Sequence, residues 1–163
     1  MQPRAPLVHF TIAERMFERV LIVCVGNICR SPMAEGLLRA RLGAGGDDRV
    51  ASAGLGALEG RPADPKAVDL LARRGIDISG HRARQLTPDL LARYDLVLVM
   101  EDEQRREIER LARTARGRVH RIGKFAGFDV ADPYGKPLAA FERALALIER
   151  GLDDFHQTFW RAA

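Results

Sequence analysis

The sequence has few cysteines and no long apolar segment. Only two cysteines occur in 163 residues, Cys24 and Cys29. Small secreted domains that depend on disulfides have many more, so a catalytic or redox role is favoured for this pair. The longest apolar run, near residues 20–25, is much shorter than the roughly 20 residues that span a bilayer. The N-terminus also lacks the apolar stretch of a signal peptide. We therefore expect a cytoplasmic protein that is not embedded in a membrane.

The sequence also lacks a concentration of charge of one sign. It has 26 basic and 22 acidic residues, which gives a formal net charge of +4. Acids and bases alternate in the predicted helices, as over residues 103–113, whereas nucleic-acid-binding proteins carry a basic stripe. We expect no nucleic-acid partner. An anionic small molecule remains compatible with this charge.

What the sequence does contain is an alternation of short β-branched runs with helical patterns. Such alternation is typical of βαβ units and a parallel sheet. Residues 1–15 have no strong periodicity and are interpreted as an N-terminal extension, either an upstream start or a flexible tail, before a single domain over 16–163. We predict four strands, over residues 20–25, 49–52, 96–100 and 119–122. Helices are predicted over residues 31–43, 64–75 and 103–116 and from Pro137 onward, with a further short helix that begins at Thr87. Residues 45–48 and 54–60 are predicted to be loops.

Together these elements predict an α/β fold, with a doubly wound four-stranded parallel sheet and helices on both faces. The buried stripes of the helices should include Val68, Leu71 and Ala72, then Ile108 and Leu111. In the last helix, apolar residues recur at spacings of three and four and should form one buried face: Leu138, Phe141, Leu145, Ile148, Leu152 and Phe155. Ligands of such folds bind beyond the carboxyl ends of the strands, at a topological switch point. The loop after the first strand is therefore the expected site.

That loop has a composition suited to binding phosphate. Gly26 and Asn27, which tolerates left-handed backbone angles, let successive amide groups turn inward around an anion. The positive field of the helix N-terminus favours a thiolate at Cys24. Arg30 offers a planar fork of donors that can hold two phosphoryl oxygens, and Ser31 can donate its hydroxyl to the sulfur. Taken singly, each residue has an ordinary structural interpretation, but together they favour Cys24 as a nucleophile toward phosphate. The loop reads Cys24-Val25-Gly26-Asn27-Ile28-Cys29-Arg30-Ser31-Pro32.

A nucleophile of this kind needs an acid that protonates the leaving oxygen. Asp132, in the run Asp-Pro-Tyr-Gly before the last predicted helix, is the candidate. An aspartate at the first position of a plain turn explains the same run equally well. The residues alone leave this choice open.

The nine-residue loop, followed far downstream by Asp-Pro-Tyr, resembles the low-molecular-weight protein tyrosine phosphatase family over residues 18–160. The resemblance implies a flavodoxin-like fold of the phosphotyrosine phosphatase I type. It implies that Cys24 forms a phosphocysteine intermediate, that Arg30 binds phosphate and that Ser31 assists the leaving thiolate. It also makes Asp132 the general acid and then the general base. No metal or other cofactor is implied, and we expect a monomer.

The resemblance extends to the surroundings of the loop. Asn27, Ser52 and His81 match positions that brace it, although His81 alone would be interpreted as a surface residue. Tyr134 resembles one aromatic wall of a deep slot, and Leu58 stands where many eukaryotic members have tryptophan. The depth of the slot favours phosphotyrosine over the shorter phosphoserine. The substrate-binding residues implied are Val25, Gly26, Asn27, Ile28, Cys29, Leu58 and Tyr134.

The run over residues 52–58 resembles that of bacterial members that serve exopolysaccharide or capsule export. This implies that the partner is a tyrosine autokinase with a tyrosine-rich tail, and that phosphate or a similar anion occupies the site.

Three alternatives remain on the same scaffold. Arsenate reductases use a similar loop, but the thioredoxin-linked ones need further cysteines, and none follows Cys29. Protein-arginine phosphatases carry threonine where this chain has Ile28. A phosphate-binding module without turnover usually loses the nucleophile or the acid, and both Cys24 and Asp132 are present. A reversible Cys24–Cys29 disulfide that protects the nucleophile is a further expectation.

Overall fold

The computed structural model describes residues 17–43 and 45–160. The predicted N-terminal extension, residues 1–15, lies outside this part of the chain. The strands are β1 (Val20–Cys24), β2 (Val50–Gly54), β3 (Leu96–Val99) and β4 (Val119–Arg121). The helices are α1 (Arg30–Leu42), α2 (Gly46–Arg49), α3 (Pro65–Ala72), α4 (Pro88–Leu91), α5 (Asp102–Leu111) and α6 (Leu138–Phe155), with a 3-10 turn (Arg113–Ala115) and a π-helical turn (His156–Trp160).

The four strands form one parallel sheet in the order β2-β1-β3-β4. The chain moves from β1 to β2 on one side and then crosses to β3 on the other, so the winding reverses at β1. This reversal opens a crevice at the carboxyl end of β1, where doubly wound sheets bind ligands. The predicted fold class is confirmed.

Hydrophobic residues cover both faces of the sheet. All five residues of β1 are buried, and alternate side chains point to opposite faces. Val20 and Ile22 pack in a cluster that includes residues of α1, α3 and α6. Leu21 and Val23 belong to a second cluster, formed with α4, α5 and β4. A strand buried on both faces reads as a continuous apolar run, and this is why β1 was predictable.

Several predicted boundaries and faces are wrong. Helix α5 ends at Leu111 instead of residue 116, because Ala112 is extended (φ −144°, ψ 99°) and a 3-10 turn follows. Leu111 is 49% exposed, so Ile108 alone of the predicted pair faces inward. In α3, Ala72 is exposed and Val68 is half-buried, while Leu71 is buried as expected.

Two segments predicted as loops contain regular structure. Helix α2 occupies most of the expected turn over residues 45–48. Strand β2 extends to Gly54, where a Cβ atom would lie 2.3 Å from the Val25 carbonyl oxygen. Gly54 is therefore required by close backbone approach. No helix in the described ranges is long and apolar enough to cross a membrane.

Candidate active site

The loop of residues 24–31 runs from the last residue of β1 into the first turn of α1, and it is shaped by one left-handed residue. Asn27 has φ 59°, and it is the only non-glycine residue in the described chain with a positive φ. Asparagine tolerates this conformation better than most residues. The Asn27 side chain then holds the loop, because its Oδ1 accepts a hydrogen bond from the Arg84 backbone N–H at 2.9 Å. This contact fixes the orientation of the amide group.

The nucleophile candidate lies at the end of β1, beneath this loop. Cys24 is buried, and its Sγ is 2.9 Å from Ser31 Oγ. Ser31 Oγ accepts a hydrogen bond from Asn27 Nδ2 at 2.8 Å, so the Ser31 hydroxyl hydrogen is available to the sulfur. The arrangement suits a hydroxyl that donates to a Cys24 thiolate.

A second layer of side chains supports Asn27. Its Nδ2 also donates to Ser52 Oγ at 2.9 Å, and Ser52 Oγ donates to Glu35 Oε2 at 2.5 Å. His81 Nε2 lies 2.6 Å from the Asn27 carbonyl oxygen and therefore carries the hydrogen of this bond. Ser52 and His81, for which the family resemblance implied a bracing role, thus both contact Asn27. Glu35 was missed, although an acid on the buried face of α1 was the available signal.

Arg30 begins α1 and is only 1% exposed. This burial excludes an ordinary solvated arginine on a helix surface. Its Nη1 is bound to the Glu101 carboxylate and donates to the Val130 carbonyl oxygen at 2.8 Å. Its Nε has no hydrogen-bond partner in the described part of the chain. A buried guanidinium with an unused donor edge is suited to a bidentate oxyanion.

Glu101 is the second residue that sequence reasoning missed. It follows β3 and caps the N-terminus of α5. A position just after the carboxyl end of a central strand was the signal that could have identified it.

Above Cys24 and Arg30 lies a pocket of about 190 Å³. Tyr134 and Val25 are 52% and 44% exposed, which places them at its mouth. Asp132 is half-exposed, and its Oδ2 lies 3.8 Å from Arg30 Nη2. The acid candidate is thus close to the anion-binding arginine. The pocket is lined by Cys24, Val25, Gly26, Ile28, Cys29, Arg30, Gly56, Leu58, Asp132 and Tyr134.

Every predicted site residue therefore lies either on this pocket or in the network beneath it. The pocket walls include nine of these residues, and Asn27, Ser31, Ser52 and His81 form the supporting contacts. Within residues 17–43 and 45–160, no group of three His, Cys, Asp or Glu side chains is arranged to hold a metal ion.

Cys29 shares the pocket with Cys24, and both are free thiols. Burial, followed by the charge of Asp64, raises the pKa of Cys29 to about 12. Cys29 is therefore protonated at neutral pH and is a poor nucleophile.

Comparison with known proteins identifies the family of the chain. The sequence model described as low molecular weight phosphotyrosine protein phosphatase matches residues 19–162. A probable low molecular weight protein-tyrosine-phosphatase, EpsP of Ralstonia nicotianae, is 54% identical over 138 residues, which are 85% of this chain and 93% of the relative.

Two solved structures are informative about the pocket. Vibrio vulnificus Wzb in complex with benzylphosphonate has a TM-score of 0.81 and 36% identity, covering 87% of this chain and 99% of the other. The YwlE arginine phosphatase from Geobacillus stearothermophilus has a TM-score of 0.79 and 32% identity, covering 86% and 92% respectively. The predicted family is confirmed: the chain belongs to the low molecular weight phosphotyrosine protein phosphatase family.

Proposed function

We propose that the chain hydrolyses phosphotyrosine in proteins through a phosphocysteine intermediate on Cys24. One observation carries this proposal: Cys24 Sγ, 2.9 Å from Ser31 Oγ, shares a narrow pocket with the unused donor edge of buried Arg30. Cys24 supplies the nucleophile and Arg30 holds the oxygens whose charge is redistributed in the transition state.

In the first step the Cys24 thiolate attacks phosphorus, and the bond between phosphorus and the tyrosine oxygen breaks. Asp132, protonated before the step, gives its proton to the leaving phenolate oxygen. Arg30 stays bound to the phosphoryl oxygens while the phosphoryl group moves from the tyrosine oxygen to the Cys24 sulfur.

In the second step a water molecule attacks phosphorus, and the Asp132 carboxylate takes one of its protons. The phosphorus–sulfur bond breaks, leaving inorganic phosphate and the Cys24 thiolate. The Ser31 hydroxyl donates to this thiolate, which makes sulfur a better leaving group. The Asn27 contact supports this role, because it occupies a lone pair of Ser31 Oγ and leaves the hydrogen for sulfur.

The pocket walls favour a phenyl ring over a guanidinium group. Val25, Ile28 and Leu58 are apolar, and Tyr134 presents an aromatic ring at the mouth. A phosphoarginine guanidinium would need polar partners on these walls, whereas a phenyl ring would not. The likeness to an arginine phosphatase at 32% identity keeps phosphoarginine as the second candidate substrate. The benzylphosphonate bound by the Vibrio relative carries a phenyl ring one methylene group away from the phosphonate, consistent with the first candidate.

We further propose that the partner is the tyrosine-rich tail of a bacterial tyrosine autokinase that controls exopolysaccharide or capsule production. In this proposal the enzyme is a monomer and acts on the tail in the cytoplasm. The resemblance of residues 52–58 to such phosphatases supports this. Turnover of tail phosphopeptides should exceed that of peptides with the same composition in scrambled order. Fast turnover of every phosphopeptide except those from the tail would remove the autokinase from the proposal.

The testing experiment measures phosphate release from a phosphotyrosine peptide at mildly acidic pH with a chelator present. We expect Cys24→Ser to abolish turnover and Asp132→Ala to lower kcat by about 10²- to 10⁴-fold, the usual contribution of a general acid. Asp89→Ala, which removes an exposed acid on α4, is the matched control and should leave kcat unchanged. Turnover of phosphoarginine but not phosphotyrosine would transfer the assignment to the second candidate.

A further inference from the structure

The wall of the pocket that carries Leu58 is a short segment, residues 54–58, here named the wall loop. Three of its amides donate to the loop that holds Cys24. Leu55 N donates to the Cys24 carbonyl oxygen, Gly56 N to that of Val25 and Leu58 N to that of Gly26, each at 3.0 Å. The wall loop thereby continues the pairing of β2 with β1 past the end of the sheet.

A fourth amide of the wall loop, that of Ala57, is held by a side chain. Ala57 N donates to Gln85 Oε1 at 2.9 Å, and Gln85 Nε2 donates to the Leu55 carbonyl oxygen at 2.7 Å. One contact requires an oxygen and the other a nitrogen, so the amide orientation is fixed. Gln85 makes both contacts that a backbone peptide group would make.

Backbone contacts place Gln85 beside the wall loop. Gly54 N donates to the Arg84 carbonyl oxygen at 2.9 Å, and Leu86 N donates to that of Gly54 at 2.8 Å. The Gln85 side chain therefore extends this pairing toward Leu58. The only other side-chain hydrogen bond of Gln85 in the described chain goes to the Leu86 carbonyl oxygen, at 3.5 Å. None goes to Cys24, Arg30 or Ser31.

We propose that Gln85 is a positioning residue that holds Leu58 against the aryl group of the substrate. The substrate class rests on the proposed function. Because Gly54 and Gly56 have more backbone freedom than other residues, ordering the wall loop costs more conformational entropy. Removal of the Gln85 side chain leaves the Ala57 N–H and the Leu55 carbonyl oxygen without their hydrogen-bond partner. The loop then relaxes and the Leu58 wall loses its fixed position. The side-chain contacts that hold the anion site, Arg30 with Glu101 and Asn27 with Ser31, do not involve Gln85 or the wall loop and are kept.

The test compares two ligands that require no turnover. Benzylphosphonate uses the Leu58 wall and the anion site, while inorganic phosphate uses the anion site alone. For Gln85→Leu we expect the Kd of benzylphosphonate to rise about tenfold and the Kd of phosphate to stay within about twofold, since two neutral hydrogen bonds are lost. Gln157→Leu, at an exposed glutamine near the C-terminus, is the matched control and should change neither Kd.

Equal weakening of both ligands would overturn the proposal, because Gln85 would then support the whole site. Unchanged benzylphosphonate binding would overturn it as well. If Gln85→Leu does not fold, Gln85→Glu carries the test: it has the same shape and loses the donor to Leu55, and the same separation of the two Kd values is expected. Failure of the proposed hydrolysis is a distinct result, since it appears as absent turnover in wild type with both Kd values intact.

Discussion

At the scale of single residues, the charge of Arg30 is balanced by Glu101. The guanidinium is buried and its Nη1 is bound to Glu101 and to the Val130 carbonyl oxygen. Glu101→Ala leaves only the carbonyl to hold the guanidinium, so the donor fork loses its alignment with the phosphoryl oxygens. We expect kcat/KM for a phosphotyrosine peptide to fall by roughly 10- to 100-fold, the range that small misplacements cost.

The matched control is Glu103→Ala, an exposed acid on the same helix that pairs with Arg106 and Arg110. Its kcat/KM should equal that of wild type. Equal activity of Glu101→Ala and wild type would mean that the Val130 carbonyl suffices to align Arg30.

A second prediction at this scale concerns Cys29. Peroxide converts the Cys24 thiolate to a sulfenic acid, and the Cys29 sulfur can then displace water from it to form a disulfide. Because burial raises the pKa of Cys29, peroxide oxidises Cys24 in preference to Cys29. Cys29 loses its proton only when it attacks the neighbouring sulfenic acid, and the hydroxyl of that group leaves as water. We expect wild type to regain most activity after peroxide and then reductant, and Cys29→Ser to regain much less. Full recovery of Cys29→Ser would exclude a protective role.

At the scale of elements, the end of β2 shapes the loop that follows β1. A Cβ atom at Gly54 would lie 2.3 Å from the Val25 carbonyl oxygen and 3.1 Å from Asn27 Cβ. We expect Gly54→Ala to lower the free energy of unfolding by about 1–3 kcal/mol, as overpacking does. Gly80→Ala, with open space around the added Cβ, is the control in the same urea titration. Equal midpoints of the two variants would contradict this account of β2.

Elements were predictable from sequence where one physical signal dominated. The face of α6 that carries Phe141, Ile148 and Leu152 is buried as its spacing predicted. The prediction that Leu111 is buried failed, because spacing shows which residues share a helix face but not where the helix ends. Extension of β2 to Gly54 was missed because a glycine-rich run resembles a loop unless the neighbouring backbone is known.

The residues of the phosphate-binding loop could be predicted from the sequence, but most of the distant residues that contact the loop could not. Residues 24–31 are contiguous, so their chemistry could be interpreted directly. Arg30 and Glu101 are 71 positions apart, and Asn27 and Ser52 are 25 apart. Only the family resemblance pointed to Ser52. No resemblance pointed to Glu101 or Gln85, and for Glu101 the only available signal was its position just after β3.

At the scale of the whole molecule, the sheet holds the site between two hydrophobic clusters. Phe141 of α6 is completely buried in the cluster that also includes Cys24 and Met33. Phe141→Ala should lower the free energy of unfolding by about 3–5 kcal/mol, through lost burial and a residual cavity. The half-exposed Phe125 is the control, and its replacement by alanine should cost less than about 1.5 kcal/mol. Equal losses in urea unfolding would show that burial in this cluster does not dominate stability.

The most direct test of the central claim is to detect the phosphoryl group on Cys24. Enzyme mixed with a ³²P-labelled phosphotyrosine peptide is quenched in alkali within the first turnovers, because the phosphorus–sulfur bond is labile in acid, and is then digested and mapped at alkaline pH. In wild type we predict label on the peptide that contains Cys24. The Ser31→Ala variant should accumulate more label, because loss of the hydroxyl slows release of the thiolate. The Cys24→Ser variant should carry none. Label on another residue, or turnover by Cys24→Ser at the wild-type rate, would contradict the thiolate mechanism.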